Sequence, residues 1–327
     1  VDLFKALLGE TGDLTVGCTQ EAPLFAELAE AAGYEGRLSF GNIREAAGWS
    51  DQATDAAPKM AALLAAAAEP VNAPRLHTHE SEGVVLVYGF DDNAVEVGRK
   101  LAESLDVTVV VTGQAPIAPP RVTEFPVVRG RVRSATGALG GFELTLDAFA
   151  RPAPSSRTAL VWGESRDGLT SRCDIFVDLT GGPSFFPGRD LREGYIRADA
   201  SSPVMAERAV RRAAALIGTF DKPRAVDFRA DLCAHSRSGK VGCRRCLDLC
   251  PTGAISPAGD HVAIDPAICA GCGQCAAACP TGAAGYELPS AETLMRRLRR
   301  AILGYAAAGG ADALILFHDG DHGAALI

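Results

Sequence analysis

Two stretches, "CRRCLDLCPTGAI" (residues 243–255) and "CGQCAAACPTGAA" (272–284), align without a gap and share C-x2-C-x3-C-P-T-G-A. Each follows a further cysteine. Two residues separate Cys269 from Cys272, but nine, "AHSRSGKVG", separate Cys233 from Cys243. Eight of the ten cysteines lie within residues 233–279; the others are Cys18 and Cys173. A disulfide framework belongs to small secreted domains. Thiols crowded into one segment of a 327-residue chain with no secretory signal point instead to metal. They also imply a reducing, cytoplasmic compartment.

The second copy with its leading cysteine, "CAGCGQCAAACP" (269–280), has the spacing C-x2-C-x2-C-x3-C-P. Three thiolates at three-residue spacing can line one tight loop, and the fourth, expected to begin a helical turn, points elsewhere. Pro280 bends the chain away. The small residues Ala270, Gly271, Gly273 and Ala276 let backbone N–H groups approach sulfur. "HVAID" (261–265) reads as a short strand and "PAGD" (257–260) as a turn. Zinc sites use C-x2-C pairs across a longer spacer, which two C-x3-C-P endings fit poorly.

Residues 229–286 thus resemble the two-cluster [4Fe–4S] bacterial ferredoxin domain. In that family the fourth cysteine of each motif ligates the other cluster. The resemblance implies Cys243, Cys246 and Cys279 on cluster one, with one first-arm ligand. It implies Cys269, Cys272, Cys275 and Cys250 on cluster two. Three arrangements complete cluster one. Cys233 reaches across the nine-residue stretch, read as a flexible surface insert; His235 replaces it; or the site holds three irons with no fourth protein ligand. Cys233 is favoured, because thiolate is the softer ligand and loop length costs only about (3/2)RT ln n. His235 otherwise reads as an exposed loop histidine. Arg237 and Lys240 make this insert a candidate docking point.

Around the cysteines the pattern is α/β. "DLTVGC" (13–18), "APLFAELAEAAG" (22–33) and "GRLSF" (36–40) read as strand, helix, strand, and 51–70 as a helix stopped by Pro70. "GVVLVYGF" (83–90), "DDNAVEVGRKLAESL" (91–105) and "DVTVVVTG" (106–113) form a βαβ crossover with two buried strands. "FPVVRGRVR" (125–133) and "GFELTLDAFA" (141–150) read as an antiparallel pair, 173–182 as a further strand and 202–220 as a helix. After the cysteines come a helix at 290–310 and a buried strand "ADALILF" (311–317). The expected fold class is α/β, a mostly parallel sheet with an inserted ferredoxin-like two-cluster domain. Its divisions are 1–228 (with a sub-boundary near 70–82), 229–286, and 287–327. The last segment returns to the scaffold or starts a truncated domain. With no initiator Met, the chain reads as a piece of something longer.

The net charge of −8 argues against nucleic acid as the main partner. No run of about 18 uncharged apolar residues suggests a membrane span. "RRLRR" (296–300) and "ERAVRR" (207–212) read as solvated helix faces, with docking of an acidic redox partner as the functional alternative. Cys18, at a strand end, reads as a small buried residue or a reactive thiol, and Cys173 as core. His77 and His79 read as a solvated linker or, at i, i+2 on a strand, a metal pair. His318 and His322 with Asp319 and Asp321 read as a loop.

"TVGCTQEAPLF" (15–25) and "FGNIREAAGWS" (40–50) resemble segments of the heterodisulfide reductase A-subunit family. That family's flavin fingerprint, a G-x-G-x-x-G after a strand, is absent, so FAD is not expected. The whole arrangement is also similar to ferredoxin-domain proteins associated with bacterial formate dehydrogenase. The expected function is electron transfer through two [4Fe–4S] clusters with a redox protein partner, for which formate dehydrogenase is a candidate. The alternatives are a heterodisulfide-reductase-like oxidoreductase subunit or a formate dehydrogenase accessory protein. No catalytic residue is expected, and a stand-alone enzyme is the lesser expectation.

Overall fold

The computed structural model describes residues 2–9, 12–120, 122–188, 191–238, 242–259 and 261–318. They form two compact units, Val1–Ala73 with Pro289–Ile327, and Pro74–Leu288. The first unit opens with α1 (Asp2–Leu7), β1 (Leu14–Val16), α2 (Ala22–Ala31) and β2 (Leu38–Phe40). The strands pair in parallel, Leu14 opposite Leu38, as a short βαβ connection requires. A single π-helical turn (Arg44–Gly48) follows, and α3 (Ala57–Ala67) starts with proline in its first turn.

The second unit begins with β3 (Leu76–Ser81), β4 (Val84–Gly89), α4 (Asp92–Leu101) and β5 (Asp106–Val111). Asp91 caps α4, accepting from the Asn93 amide at 3.0 Å. Next come β6 (Val127–Thr136), β7 (Phe142–Ala150), β8 (Leu169–Cys173), β9 (Ile175–Asp178), β10 (Tyr195–Arg197) and α5 (Pro203–Ala214). One seven-stranded sheet results, ordered β10-β9-β4-β5-β6-β7-β8. Its first five strands are mutually parallel, while β7 runs against β6 and β8. Valines of β4 and β5 pack beneath α4 and α5 on one face. An aromatic core of Tyr88, Phe142, Phe176, Phe186 and Tyr195 fills the other.

Buried Asp178 ends β9. It accepts from the Thr180 amide (3.0 Å) and hydroxyl (2.6 Å) and from the Tyr195 hydroxyl (2.7 Å), and it faces the Arg197 guanidinium. With these donors a buried carboxylate is tolerable. The chain then carries Phe185 and Phe186 back onto the aromatic core.

The second unit continues through β11 (Gly218–Pro223), β12 (Val226–Phe228), α6 (Ala234–Ser238) and α7 (Arg245–Leu249). It closes with β13 (Ile255–Ala258), β14 (His261–Ile264), α8 (Gln274–Ala278) and β15 (Ala284–Tyr286). Helix α9 (Ala291–Ala307) belongs to the first unit; Ser290 caps it, accepting from the Thr293 amide at 3.3 Å. Gly304 lets it lie close against α3, since a Cβ there would come within 2.8 Å of the Ala65 Cβ. Arg296 and Arg300 both donate to Glu69, and Arg297 donates to the Ala66 carbonyl. The "RRLRR" run is therefore partly tied down within its own unit, not simply solvated.

Three readings need correction. The helix read at 202–220 stops at Ala214, and Gly218–Phe220 belong to β11. "ADALILF" (311–317) is not a strand: it is coil, with Leu314 91% exposed. Among the described residues it meets no ladder partner, and an apolar run makes a strand only where a sheet edge receives it. His77 and His79 lie in β3, paired antiparallel with β11, not in a solvated linker. His79 is buried, with Nδ1 3.1 Å from the Leu139 carbonyl oxygen and Nε2 3.3 Å from a Glu193 carboxylate oxygen. His318 sits in coil, while Asp319, Asp321 and His322 lie outside the described residues. No helix among the described residues is long and apolar enough to cross a membrane.

Cys173 is core, packed with Phe142 and Phe176, and Cys18 is only half-buried. Burial pushes the Cys173 thiol from 9.0 up to about 12. Between those values the unfolded chain has lost this proton and the folded chain keeps it. Stability therefore falls as pH rises from 9.0 toward 12, by up to about 1.4 kcal/mol per pH unit. Cys173→Ala is expected to flatten this alkaline slope in denaturation measured from pH 8 to 11, whatever it costs in absolute stability. Identical slopes in both proteins would contradict the assignment.

Candidate metal centre

The cysteine-rich segment has its own small core of Ala225, Val226, Ile255, Val262, Cys275 and Ala284. β12 pairs antiparallel with β15, and β13 with β14. Helices α7 and α8, each inside one sequence copy, pack against one another. Cys246, Cys250, Cys269 and Cys279 pack onto this core. Cys233 and Cys275 are buried, Cys243 is half-buried, and Cys272 is exposed.

The shared C-P-T-G-A turn has a clear physical use. Cys250 and Cys279 stand in extended conformation just after α7 and α8, not at the start of a helical turn as expected. The Thr252 hydroxyl oxygen lies 3.7 Å from the Cys250 sulfur, and that of Thr281 3.6 Å from the Cys279 sulfur. Gly253 and Gly282 then adopt φ of +66° and +68°, which side chains resist. The turn aims the next amides at sulfur: Ala254 and Ile255 at Cys250, Ala283 and Ala284 at Cys279. Burial pushes both thiols up, but these donors outweigh it, and both are held below the ordinary thiol range. Donors that favour thiolate also favour metal ligation. The T-G-A extension common to both copies was the sequence signal for this role, which cysteine spacing alone does not reveal.

The thiols fall into two neighbourhoods. Burial pushes the Cys275 thiol up to about 11; the Ala276 amide opposes this, and the sulfurs of Cys269, Cys272 and Cys250 add to it. Burial likewise raises Cys246, with Cys243 and Cys233 acting in the same direction. Cys250 therefore sits with the thiols of the other copy, and Cys233 sits near Cys243 and Cys246 despite the nine-residue gap. Cys279 shares the common core. Among the described residues, no three thiols, imidazoles or carboxylates converge as a single metal ion would require.

The insert after Cys233 is not simply a flexible surface loop. Residues Ala234–Ser238 form α6, which touches β14. His235 is 1% exposed, not an exposed loop histidine, because α6 turns it inward. Neither its ring nitrogens nor the Ser236 hydroxyl has a hydrogen-bond partner. Unpaired buried donors beside Cys233 fit a site that takes a polar or anionic group. Arg237 is on α6; Lys240 lies outside the described residues.

Grouped thiols, amides aimed at sulfur and unpaired buried donors together fit an iron–sulfur centre. Residues 240–283 match the family model described as a 4Fe-4S dicluster domain. The chain thus carries a ferredoxin-type iron–sulfur domain within a mixed α/β protein. The match begins after Cys233. No curated protein matches the chain.

A side chain at Gly282 would meet nothing within 4 Å, so a substitution there tests backbone conformation alone. Gly282→Ala is expected to cost about 1–2 kcal/mol in denaturation of the iron-loaded protein. Its iron content after anaerobic loading should also fall. Unchanged stability and loading would show that the positive φ is not required.

Proposed function

We propose that residues 229–286 hold two [4Fe–4S] clusters and pass single electrons to or from a redox enzyme. The observation that carries this reading is the exchange between copies, in which the Cys275 thiol feels Cys269 and Cys272 of its own copy and Cys250 of the other. Cys233, Cys243, Cys246 and Cys279 hold cluster one; Cys269, Cys272, Cys275 and Cys250 hold cluster two. Residues 74–228 serve as their scaffold, and 289–327 belong with 1–73 to the other unit.

Bound clusters supply the one-electron chemistry; the residues hold, shield and tune. Thiolates carry the metal, and the amides following Cys250 and Cys279 stabilise charge on sulfur. The small apolar core keeps water from one side. Exposed Cys272 marks where a partner approaches closest to cluster two.

A second reading, an oxidoreductase subunit of the heterodisulfide-reductase type, has one supporting observation. The stretches at 15–25 and 40–50 lie together, with Arg44 donating to Gln20 at 2.6 Å and Gly17 leaving room for Ile43. A formate dehydrogenase would be a partner of suitable chemistry under either reading.

Anaerobic loading is expected to give about eight irons per chain, as two cubanes with four thiolate ligands apiece require, with no released flavin. Electron paramagnetic resonance of the reduced protein should show two interacting cubane signals. Cys233→Ala should lose or convert one of them, while His235→Ala should retain both. Two cubane signals in Cys233→Ala would remove Cys233 from the ligand set, and released flavin would favour the second reading.

A further inference from the structure

The segment after Asp178 does more than close the sheet. Gly188 sits so close to the C-P-T turn that a Cβ there would lie 2.8 Å from the Pro251 carbonyl oxygen. A few residues on, Arg192 is buried, at 5% exposure. Its guanidinium donates to the Gly137 carbonyl at 3.0 Å and to the Thr252 carbonyl at 2.9 Å, and it lies 4.6 Å from the centre of the Phe186 ring. Thr252 is two residues from Cys250. Lys222 makes a parallel contact, donating at 3.0 Å to the Ala267 carbonyl, two residues before Cys269.

The two cations differ in compensation. Glu193 lies 3.3 Å from the Lys222 ammonium and 3.3 Å from His79. Arg192 forms no ion pair with a described carboxylate, and its Nε has no hydrogen-bond partner. Among the described residues its charge is held by carbonyl oxygens and a ring face, with the Asp265 carboxylate acting on it electrostatically. The two copies also differ. Thr252 is buried while Thr281 is exposed, and among the described residues no arginine or lysine donates to the Thr281 carbonyl.

We infer that Arg192 and Lys222 hold the two backbone stretches that carry Cys250 and Cys269 of cluster two, and that the buried charge of Arg192 holds that cluster's reduction potential above that of cluster one. The inference rests on the two-cluster reading. Reduction adds one electron from an external one-electron donor to the cluster, and no bond forms or breaks. The added negative charge is stabilised by a nearby cation in a dry, weakly screening environment. Net charge around a cluster is one of the protein's means of setting its potential. Arginine keeps its charge at all working pH values, so this contribution does not vary with pH.

The test is a dithionite titration of the full iron-loaded chain, followed by electron paramagnetic resonance, with iron content measured on every sample. Arg192→Gln is expected to make reduction of one cluster about tenfold less favourable, about 59 mV for one electron. The other midpoint should stay in place. The shift should be the same at pH 6.5 and 8.5, and the affected signal should be the one lost in Cys272→Ala. Arg192→Lys should recover most of the shift, which a merely structural role would not predict. Full iron with both midpoints unchanged in Arg192→Gln overturns the inference and leaves the two-cluster reading intact. A wild-type chain that binds no iron refutes that reading itself. If Arg192→Gln loses iron, Glu193→Gln decides. Removing the counter-ion of Lys222 should raise the same midpoint severalfold in equilibrium terms, and unchanged midpoints there also overturn the proposal.

Discussion

A sulfur anion taken out of water must find its hydrogen-bond donors in the protein. The two C-P-T-G-A turns meet that requirement locally. The proline ends a short helix, the threonine brings its hydroxyl beside the sulfur, and the left-handed glycine turns two following amides toward it. The helices, hairpin and strand pair around them have the task of holding those turns in place. Each is too short to be stable alone. Their shared core of six buried side chains is small for an independent domain. Metal ligation and contact with the larger part of the unit supply what the core lacks.

That larger part is a rigid support. Strands buried on both faces, between helices and an aromatic layer, leave few ways to repack. The satisfied Asp178 carboxylate fixes where the chain leaves β9. The segment that follows returns to the aromatic layer through Phe185 and Phe186 and meets the Cys250 turn through Gly188 and Arg192. Scaffold and cysteine-rich segment are therefore joined at the backbone carbonyls that follow Cys250.

Local pattern made most elements legible. The βαβ unit at 83–113 declared itself through two apolar runs flanking a capped amphipathic helix, and "GFELTLDAFA" through an alternation that the structure keeps from Phe142 to Leu146 and breaks at buried Asp147. The failures share one cause. "ADALILF" has the composition of a buried strand, but strand formation depends on an edge elsewhere in the chain. His77 and His79 lie in a polar stretch whose partner, β11, is more than a hundred residues away. His235 occupies a polar insert, and only the docking of α6 on β14 turns it inward.

The sequence by itself determined the chemistry of the site. Thiol spacing and the doubled T-G-A extension are short-range properties, and short-range backbone geometry is enough to aim amides at sulfur. Packing between elements is what makes the thiols neighbours, Cys250 with the opposite copy and Cys233 with Cys243 and Cys246. It alone placed Arg192 against the Thr252 carbonyl. The physical reason is range: a turn is specified by the few residues within it, whereas a contact across sixty residues exists only once independent cores have packed and brought its partners together.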